Sequence, residues 1–570
     1  MYNLIIIGGM AAGCKAAARL KRLSSDYQIT IIEKSPYISF SSCGLPLYAS
    51  GEINDLSDLN KTPYGILRNE FFFRDVKNIK ILLNTEVIQI DTERNKVQCN
   101  SADEKFELSY HFLILATGKE AIEPNFPYTP SPLISSFYSP ASVKYFRQAV
   151  QRGEIEKVAF IGCDLSSCQI IESFSSIWGI ETILIEKEPS LLTPYLDPEI
   201  SSFVESSIKS DKFELLLSTS VDKIELNDKE LPVIFFSDGK TINSDYVFYC
   251  LGVKPDTNLA RKSNIKTGKL GGIIIDKQMR TNIHNIWAAG NCVEIKNLIT
   301  GNPDYMPFGS LSNIMGRAAA DSIAGENNTF KGSVGSYCLS FFDNTICSTG
   351  LTEKRAKEFG FNSGSVIGFI PDRAEYDPEG KTILGKLVYE KSTLRLLGLQ
   401  LLGEGEITRY IDTFSVLVSQ KKTVRDLFNI QHGCNPVHSP SLSPLNYLGF
   451  MAANQEIDGV KNINPILVSS FHGLFIDIRE LPEIESLPFP GESMCMKLSE
   501  LQSRSKDFDL NYPIMFFCQK GPRGYEAART FVNYGYKNVS YLGGGNLLYS
   551  RIINSQHFKN LNHDLNLTHN

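Results

Sequence analysis

The sequence predicts an α/β protein built on two nucleotide-type units, and three observations carry this. Residues 3–8 (NLIIIG) form an apolar run that leads through Gly8, Gly9 and Gly13 into an Ala-rich stretch, then into a second apolar run, 28–33 (QITIIE), ending in an acid. That is strand, glycine turn, helix, strand, the opening of a dinucleotide fold. The arrangement returns 154 residues later, where 157–162 (KVAFIG) leads through a turn and a helical stretch to 181–186 (ETILIE). Two such units in one chain suggest two nucleotides handed to one another. At 570 residues the chain exceeds one core, so three or four domains are expected.

Between the units, 79–99 and 106–118 alternate like strands and end in Ala116-Thr117-Gly118. After the second unit, 246–256 and 273–291 read as strands closing on Ala288-Ala289-Gly290-Asn291. Residues 337–405 are dense in short strands, 406–430 look helical, and a Pro/Ser-rich loop follows at 435–444. The polar stretch 454–465 reads as a linker. From 466 the pattern restarts, with a strand ending in Asp477-Ile478-Arg479-Glu480 and another, 513–518, ending in Cys518 before a helix. The expected domains are 1–120 with 256–328, then 148–255, 332–453 and 466–560. The last dozen residues are polar and expected to fray.

Hydrophobic residues make up 42% of the chain and charged ones 21%, the balance of a soluble globular protein. A formal net charge of −6 argues against general nucleic-acid binding, while leaving room for a local basic pocket. The start has no basic n-region, cleavage site or long apolar span, which argues against secretion and membrane insertion and for a cytoplasmic protein. Twelve cysteines spread along the length do not read as a disulfide framework. They read as buried thiols plus one or two catalytic ones, in a reducing compartment. No metal site is expected.

At the first turn, Gly8, Gly9 and Gly13 allow phosphate to approach backbone N–H groups at a helix start. Glu33 lies where an acid accepts hydrogen bonds from an adenosine ribose, and Met10 replaces the middle glycine of the usual fingerprint. The run Gly8-Gly9-Met10-Ala11-Ala12-Gly13 is followed by Ser39-Phe40-Ser41-Ser42-Cys43-Gly44-Leu45-Pro46. Together they resemble the single-cysteine flavoprotein disulfide reductases, and the coenzyme A-disulfide reductase branch fits best, over residues 1 to about 452. The resemblance implies two nested Rossmann-like nucleotide-binding domains and an α+β dimerisation domain, hence a homodimer. It implies FAD at the first site, held by Gly8, Gly9, Ala12, Gly13, Glu33, Lys34, Ala116, Thr117, Gly118 and Asn291. It implies NAD(H) at the second, with Gly162, Glu186 and Gly252, the acid at 186 favouring NADH over NADPH.

Cys43 is then the redox thiol, which takes electrons beside a flavin and attacks a disulfide. A helix N-terminus near it would stabilise the charged sulfur. Glutathione-reductase-like relatives use Cys-x4-Cys, but Tyr48 stands five residues after Cys43, so a mixed disulfide with substrate is expected. Related peroxidases and oxidases carry a His where this chain has Ala11, which argues against peroxide or oxygen as main substrate. Cys163 and Cys168 have the x4 spacing but flank the second turn, and read as packing residues. The resemblance places coenzyme A near Arg19, Arg22, Ser39 and Ser42; the two arginines, a helical turn apart, equally suit a solvated face.

Three departures stand out. Relatives usually carry glycines at the positions of Asp164 and Ser167. A carboxylate ~4 Å from a dinucleotide phosphate, at an effective dielectric near 20, costs roughly 4 kcal/mol. Asp164 therefore casts doubt on NADH use, unless it turns away and caps the following helix. Asn291 replaces an Asp that bonds the FAD ribitol, a change worth on the order of 1 kcal/mol. In the dimer-type domain, Cys434-Asn435-Pro436-Val437-His438, anchored by Pro444 and Asn446, stands where relatives carry a tyrosine-bearing stretch that closes the partner's site. His438 suits acid–base chemistry, Tyr376 resembles the family's other tyrosine loop, and Cys434 is either a second redox thiol near the partner's Cys43 or a surface-loop cysteine.

At the C-terminus, a strand ends at Cys518 and a loop of five residues precedes a helix, with Lys520 and Arg523 adding positive charge. Such a loop cradles a sulfur anion with backbone N–H groups. With Asp477–Glu480 upstream and Gly543-Gly544-Gly545 downstream, it resembles the rhodanese active loop, over about 465–550. The combined expectation is a flavoprotein reductase of coenzyme A disulfide, persulfide or polysulfide sulfur, coupled to sulfane-sulfur transfer at Cys518. One alternative is a sulfurtransferase whose flavin domain no longer uses NADH efficiently. A second is a flavin-containing scaffold or sensor.

Overall fold

A computed structural model describes residues 1–556, 558 and 559. The polar tail expected to fray lies, from 560 on, outside the described residues. The chain forms two compact units. The first comprises Met1–Leu184, Lys212–Glu214 and Val221–Ser333; the second comprises Ile185–Asp211, Leu215–Ser220 and the chain from Val334 on.

The first unit holds a five-stranded parallel sheet in the order Ile286–Ala288, Phe112–Leu115, Tyr2–Ile7, Tyr27–Ile32, Lys80–Leu82. Tyr2–Ile7 lies at its centre and is apolar nearly throughout, because a central parallel strand is covered on both faces. Helix α1 (Ala11–Leu23) follows it. The alternating stretch near 79–109 becomes an antiparallel meander of Glu86–Asp91, Lys96–Asn100 and Lys105–Ser109. After Cys43 comes the short helix α2 (Leu45–Ser50). A second five-stranded sheet runs Phe213–Leu216, Glu181–Ile185, Lys157–Ile161, Tyr246–Tyr249, Ile134–Ser136, again with the strand that leads into the glycine turn at its centre. Helix α3 (Pro140–Gln151) precedes that strand and α4 (Leu165–Glu172) follows it, continuing into a π-helical turn, Ser173–Ile177. Helix α5 (Gly309–Ile323) packs on α1 so closely that a Cβ at Gly316 would lie 2.3 Å from the Ala12 carbonyl oxygen.

The second unit contains an antiparallel sheet in the order Ser336–Phe341, Asn344–Gly350, Leu396–Gly403, Thr382–Glu390, Ser363–Pro371. Helix α6 (Pro444–Glu456) is started by a reciprocal cap between Ser443 and Asn446. Inside this unit lies a buried ion cluster. Lys386 Nζ is 3.0 Å from Asp197 and 2.9 Å from Glu353, and also bonds Glu199. The amide of Gln400 donates to Asp197 at 2.6 Å, that of Asn464 to Glu199 at 2.7 Å, and Ser365 Oγ to Glu353 at 2.7 Å.

The same unit ends in a parallel sheet ordered Lys461–Ile463, Val539–Leu542, Ile514–Phe517, Leu474–Asp477, Met494–Cys495. The stretch 454–465 is therefore not a free linker: it holds the end of α6 and an edge strand. Its polarity serves main-chain pairing. The Asn462 side chain accepts from Ile367 N–H and donates to Ile367 C=O, both at 3.1 Å. The strand ends at Phe517, one residue before Cys518, and helix α7 (Pro522–Asn533) begins two residues earlier than a five-residue loop after Cys518 allows, leaving four residues, 518–521, between strand and helix. Pro522 accounts for this, since its fixed φ and missing N–H suit the first helical position. Helix α8 (Gly545–Asn554) follows the last strand.

Candidate active site

The first glycine turn is shaped by contact. A Cβ at Gly8, whose φ is +108°, would come 2.1 Å from the Ala116 carbonyl oxygen, and one at Gly13 would come 2.0 Å from that of Gly8. Gly9 N–H and Ser35 N–H donate to the buried Glu33 carboxylate at 2.7 and 2.8 Å. Met10 provides no side-chain cap to α1, and the first turn holds no acid. The helix therefore presents backbone donors that no side chain consumes, the feature an anionic pyrophosphate needs. Around it, Ala12 lies under Gly290, and Asn291 Oδ1 accepts from Ser312 Oγ at 2.9 Å. Lys34 pairs with Asp256 at 3.0 Å, and Thr117 Oγ1 donates to the Asp256 carbonyl at 2.6 Å, with Gly118 next in a left-handed turn. These residues fit FAD at this site.

Cys43 sits exposed in a 3-10 turn, Ser42–Gly44, that runs into α2. Ser39, at φ +55°, ties the approach to the glycine turn by donating its N–H to Gly9 C=O at 2.8 Å. The sulfur faces the start of α5: a Cβ added at Gly309 would lie 3.7 Å from Cys43 Sγ. That helix start has no side-chain cap and no acid in its first turn, so its positive end is open towards the sulfur. The buried Cys14 is the contrast: its thiol is pushed up to about 12 by burial and donates to Gly9 C=O. Two side chains from beyond the first sheet hold α2. Arg147 of α3 donates to the carbonyls of Tyr48, at 2.6 Å, and Ile53, and stacks 4.5 Å over the Tyr48 ring. Trp178 Nε1 donates to Ser50 C=O at 2.6 Å. Lys119 lies between the centres: burial pushes its ammonium down, while Cys43 and Asp164 pull it up.

At the second turn, Asp164 is turned onto its helix. Its carboxylate accepts from Ser166 N–H at 2.9 Å and Ser167 N–H at 2.8 Å, and Ser167 Oγ accepts from Asp164 N–H at 2.9 Å. This reciprocal cap fills donors that α1 leaves open. Burial raises the Asp164 carboxyl above its ordinary range, against its hydrogen bonds and Lys119. Gly162 packs under the Cys250 carbonyl, Gly252 C=O accepts from Ile122 N–H at 3.0 Å, and buried Glu186 accepts from Glu188 N–H at 2.9 Å.

The C-terminal α/β domain builds a second sulfur site. Cys518 is buried, and Gly521 N–H donates to its Sγ at 3.1 Å. The start of α8 receives the loop: Asn546 N–H donates to Cys518 C=O at 2.8 Å and Leu547 N–H to Gln519 C=O at 2.9 Å. Gly545 is required there, since a Cβ would come 2.5 Å from the Cys518 oxygen. Arg479, wholly buried, grips Asp477 at 2.7 Å and reaches Gln519 Oε1 at 3.0 Å. Arg523 pairs with Glu483 at 2.5 Å; these bonds, and Cys518 against burial, hold its guanidinium above the usual range. Lys520 instead donates to Thr382 Oγ1 at 3.1 Å.

The remaining expected residues divide. The loops of Tyr376 and Cys434 meet through Ala374 N–H donating to Pro436 C=O at 3.2 Å, and Tyr376, Cys434 and His438 are all exposed. Arg19 is committed to Asp321 of α5 at 2.5 Å, whereas Arg22 and Ser42 are exposed. Local spacing pairs the two arginines; the acid on α5, 302 residues on, separates them.

The model of the family described as pyridine nucleotide-disulphide oxidoreductase matches residues 2–309, and that of its dimerisation domain matches 338–444. The chain belongs to this family. A protein named NADH oxidase from Methanocaldococcus jannaschii is 30% identical over 76% of this chain and 96% of its own length. An NAD(P)H sulfur oxidoreductase (CoA-dependent) from Pyrococcus abyssi is 29% identical over 78% of this chain and 96% of its own. The solved NAD-dependent persulfide reductase from A. fulgidus is 31% identical, with a TM-score of 0.90 over 96% of this chain and 100% of that one.

For a pyridine nucleotide-disulphide oxidoreductase, membership implies FAD and NAD(P)H, in keeping with the open α1 terminus. Lys119, Arg147, Trp178 and Gly309 escaped the sequence reading. The only local signals were a lysine directly after Ala116-Thr117-Gly118 and one of the chain's two tryptophans. Among the described residues, no helix is long and apolar enough to cross a membrane.

Proposed function

We propose that this chain reduces coenzyme A disulfide, persulfide or polysulfide sulfur with NAD(P)H, through Cys43 alone. The observation that carries this is the exposed Cys43 thiol, which faces an uncapped helix start and has buried Tyr48 where a resolving cysteine would stand. Cys43 attacks one sulfur of the substrate, expels a thiolate and keeps the other half as a mixed disulfide; two electrons then free that half. FAD, when bound, supplies the two-electron relay from the nicotinamide. Lys119 and the start of α5 offset negative charge at Cys43 during attack. The names of the Pyrococcus and A. fulgidus relatives support sulfur as the substrate. Ala11 weighs against the oxidase activity in the Methanocaldococcus name.

In this reading the C-terminal domain is a rhodanese that carries sulfane sulfur on Cys518, which Gly521 N–H and Arg523 support. The chain acts as a homodimer, with the Tyr376 and Cys434–His438 loops completing the partner's site, Arg19, Arg22, Ser39 and Ser42 contacting coenzyme A, and the cytoplasm as its compartment. Anaerobic NADH titration of the flavin, followed by addition of coenzyme A disulfide, tests the whole route. Bleaching and then recovery of the flavin colour is expected; bleaching with no recovery would overturn the substrate.

A second reading is favoured by one observation, the Asp164 carboxylate occupying the α4 donors. It predicts a sulfurtransferase that takes electrons from NADH poorly. Asp164→Gly is expected to lower the KM for NADH about tenfold, ~1.4 kcal/mol, while costing ~1 kcal/mol of helix capping. Because the Asp164 carboxyl is raised, it is neutral at lower pH and repels a phosphate only once ionised. The wild-type KM for NADH should therefore fall as pH falls, and Asp164→Asn should flatten that profile. A flat wild-type profile would remove Asp164 from the account.

A further inference from the structure

Cys163 and Cys168 bracket the cap of α4. Cys163 directly precedes Asp164, Cys168 lies in the first turn, and their sulfurs are 3.6 Å apart. These are the two positions, one before the cap and one four into the helix, at which side chains meet across a helix start. An apolar pair there would only pack. Two thiols can also bond, since a disulfide needs sulfurs at ~2.05 Å, a closure of about 1.6 Å within reach of side-chain rotation. The pair is asymmetric. Cys163 is half-buried, so an external sulfur can reach it; Cys168 is fully buried behind it. The hydrogen bond with Cys163, and then burial, hold the Cys168 thiol well above its ordinary range.

We propose that Cys163 and Cys168 form a reversible disulfide, made at the expense of a low-molecular-weight disulfide, that slows electron entry at the second nucleotide turn. Cys163 Sγ attacks one sulfur of the external disulfide and expels a thiolate, forming a mixed disulfide. Cys168 Sγ then attacks Cys163 Sγ and expels the second thiolate. The two protein thiols are oxidised, the external disulfide is reduced to two thiols, and the two protein-thiol protons leave on them. The cross-link joins Gly162's neighbour to the first turn of α4 with Asp164 between. It thereby holds the carboxylate in its cap, on the helix-start donors that a dinucleotide phosphate would use.

The test uses full-length flavin-loaded protein, reduced, treated with coenzyme A disulfide, desalted, alkylated and mapped by peptide mass spectrometry. The segment carrying both cysteines is expected to lose about two mass units and to take no alkyl group. Mapping distinguishes it from the other facing pair, Cys338 and Cys347, which stand opposite each other across an antiparallel hairpin. Anaerobic stopped-flow reduction of the treated protein by NADH should slow about tenfold and recover with dithiothreitol. Cys163→Ala, which spares the buried position, and Cys168→Ala should both abolish the slowing. Alkylation of both cysteines after treatment would overturn the proposal, as would equal slowing in Cys163→Ala. The mapping does not depend on turnover at Cys43, so failure of the reductase reading leaves it standing.

Discussion

Replacing Cys43 by serine should lower disulfide reduction on the order of a thousandfold or more, because the step loses its nucleophile and no second group substitutes for it. The structure explains why the loss is so complete. Cys14, the thiol anchored on the adjacent glycine turn, is buried and pushed up to about 12. A serine hydroxyl facing α5 gains the same helix field, yet it lacks sulfur's ability to bond to a disulfide and leave again. The flavin should still be bleached by NADH in the variant, since Cys43 takes no part in binding at either glycine turn. Stopped-flow absorbance separates the two half-reactions. Residual activity above about a hundredth of wild type would mean another thiol does the work, and Cys434 would be the first to remove.

Removing the Lys386 ammonium should cost about 3–5 kcal/mol, because it strands three carboxylates in a buried space. Asp197 and Glu199 are each 2% exposed at the side chain, as is Lys386 itself. Burial raises Glu199, whereas at Glu353 the opposing pull of Lys386, Lys357 and Ser365 wins over burial and sets its carboxyl at about 2. A carboxyl depressed in the folded state stabilises the protein above its unfolded value near 4.5, and that contribution disappears as pH falls through about 2. Lys386→Met reverses the sign: the orphaned acids take up protons more readily when folded, so the variant gains stability as pH falls towards their raised values. Chemical denaturation at neutral and mildly acidic pH should show the gap to wild type narrowing. A gap that stays constant would show that the cluster is not the source of the loss.

The turn of the first nucleotide site was legible because Gly8, Gly13 and Glu33 fall in one strand–turn–helix–strand run; the contacts that Ala116, Asp256 and Gly290 add come from far along the chain. Asp164 was legible only as a choice. Whether its carboxylate turns to a ligand or to its own helix is a side-chain rotation, which the chain order does not encode. The surroundings of Cys43 were largely hidden, because Gly309, Arg147 and Trp178 reach it across more than a hundred residues and none has a motif. The helix start after the Cys518 loop was misjudged by two residues through overlooking what Pro522 does at a helix start. The edge strand Lys461–Ile463 was mistaken for a tether because its polar side chains look solvent-directed until their main-chain partners are known.

The hold of Arg147 and Trp178 on α2 makes the reactive sulfur a passenger. The helix that follows it is short, six residues or about 1.7 turns, and its far end is held by two side chains of the neighbouring half of the unit. A rotation of α3, or of the turn that carries Trp178, would act on α2 through these two contacts. The helix that follows Cys43 is thus held from the half of the unit that carries the second glycine turn.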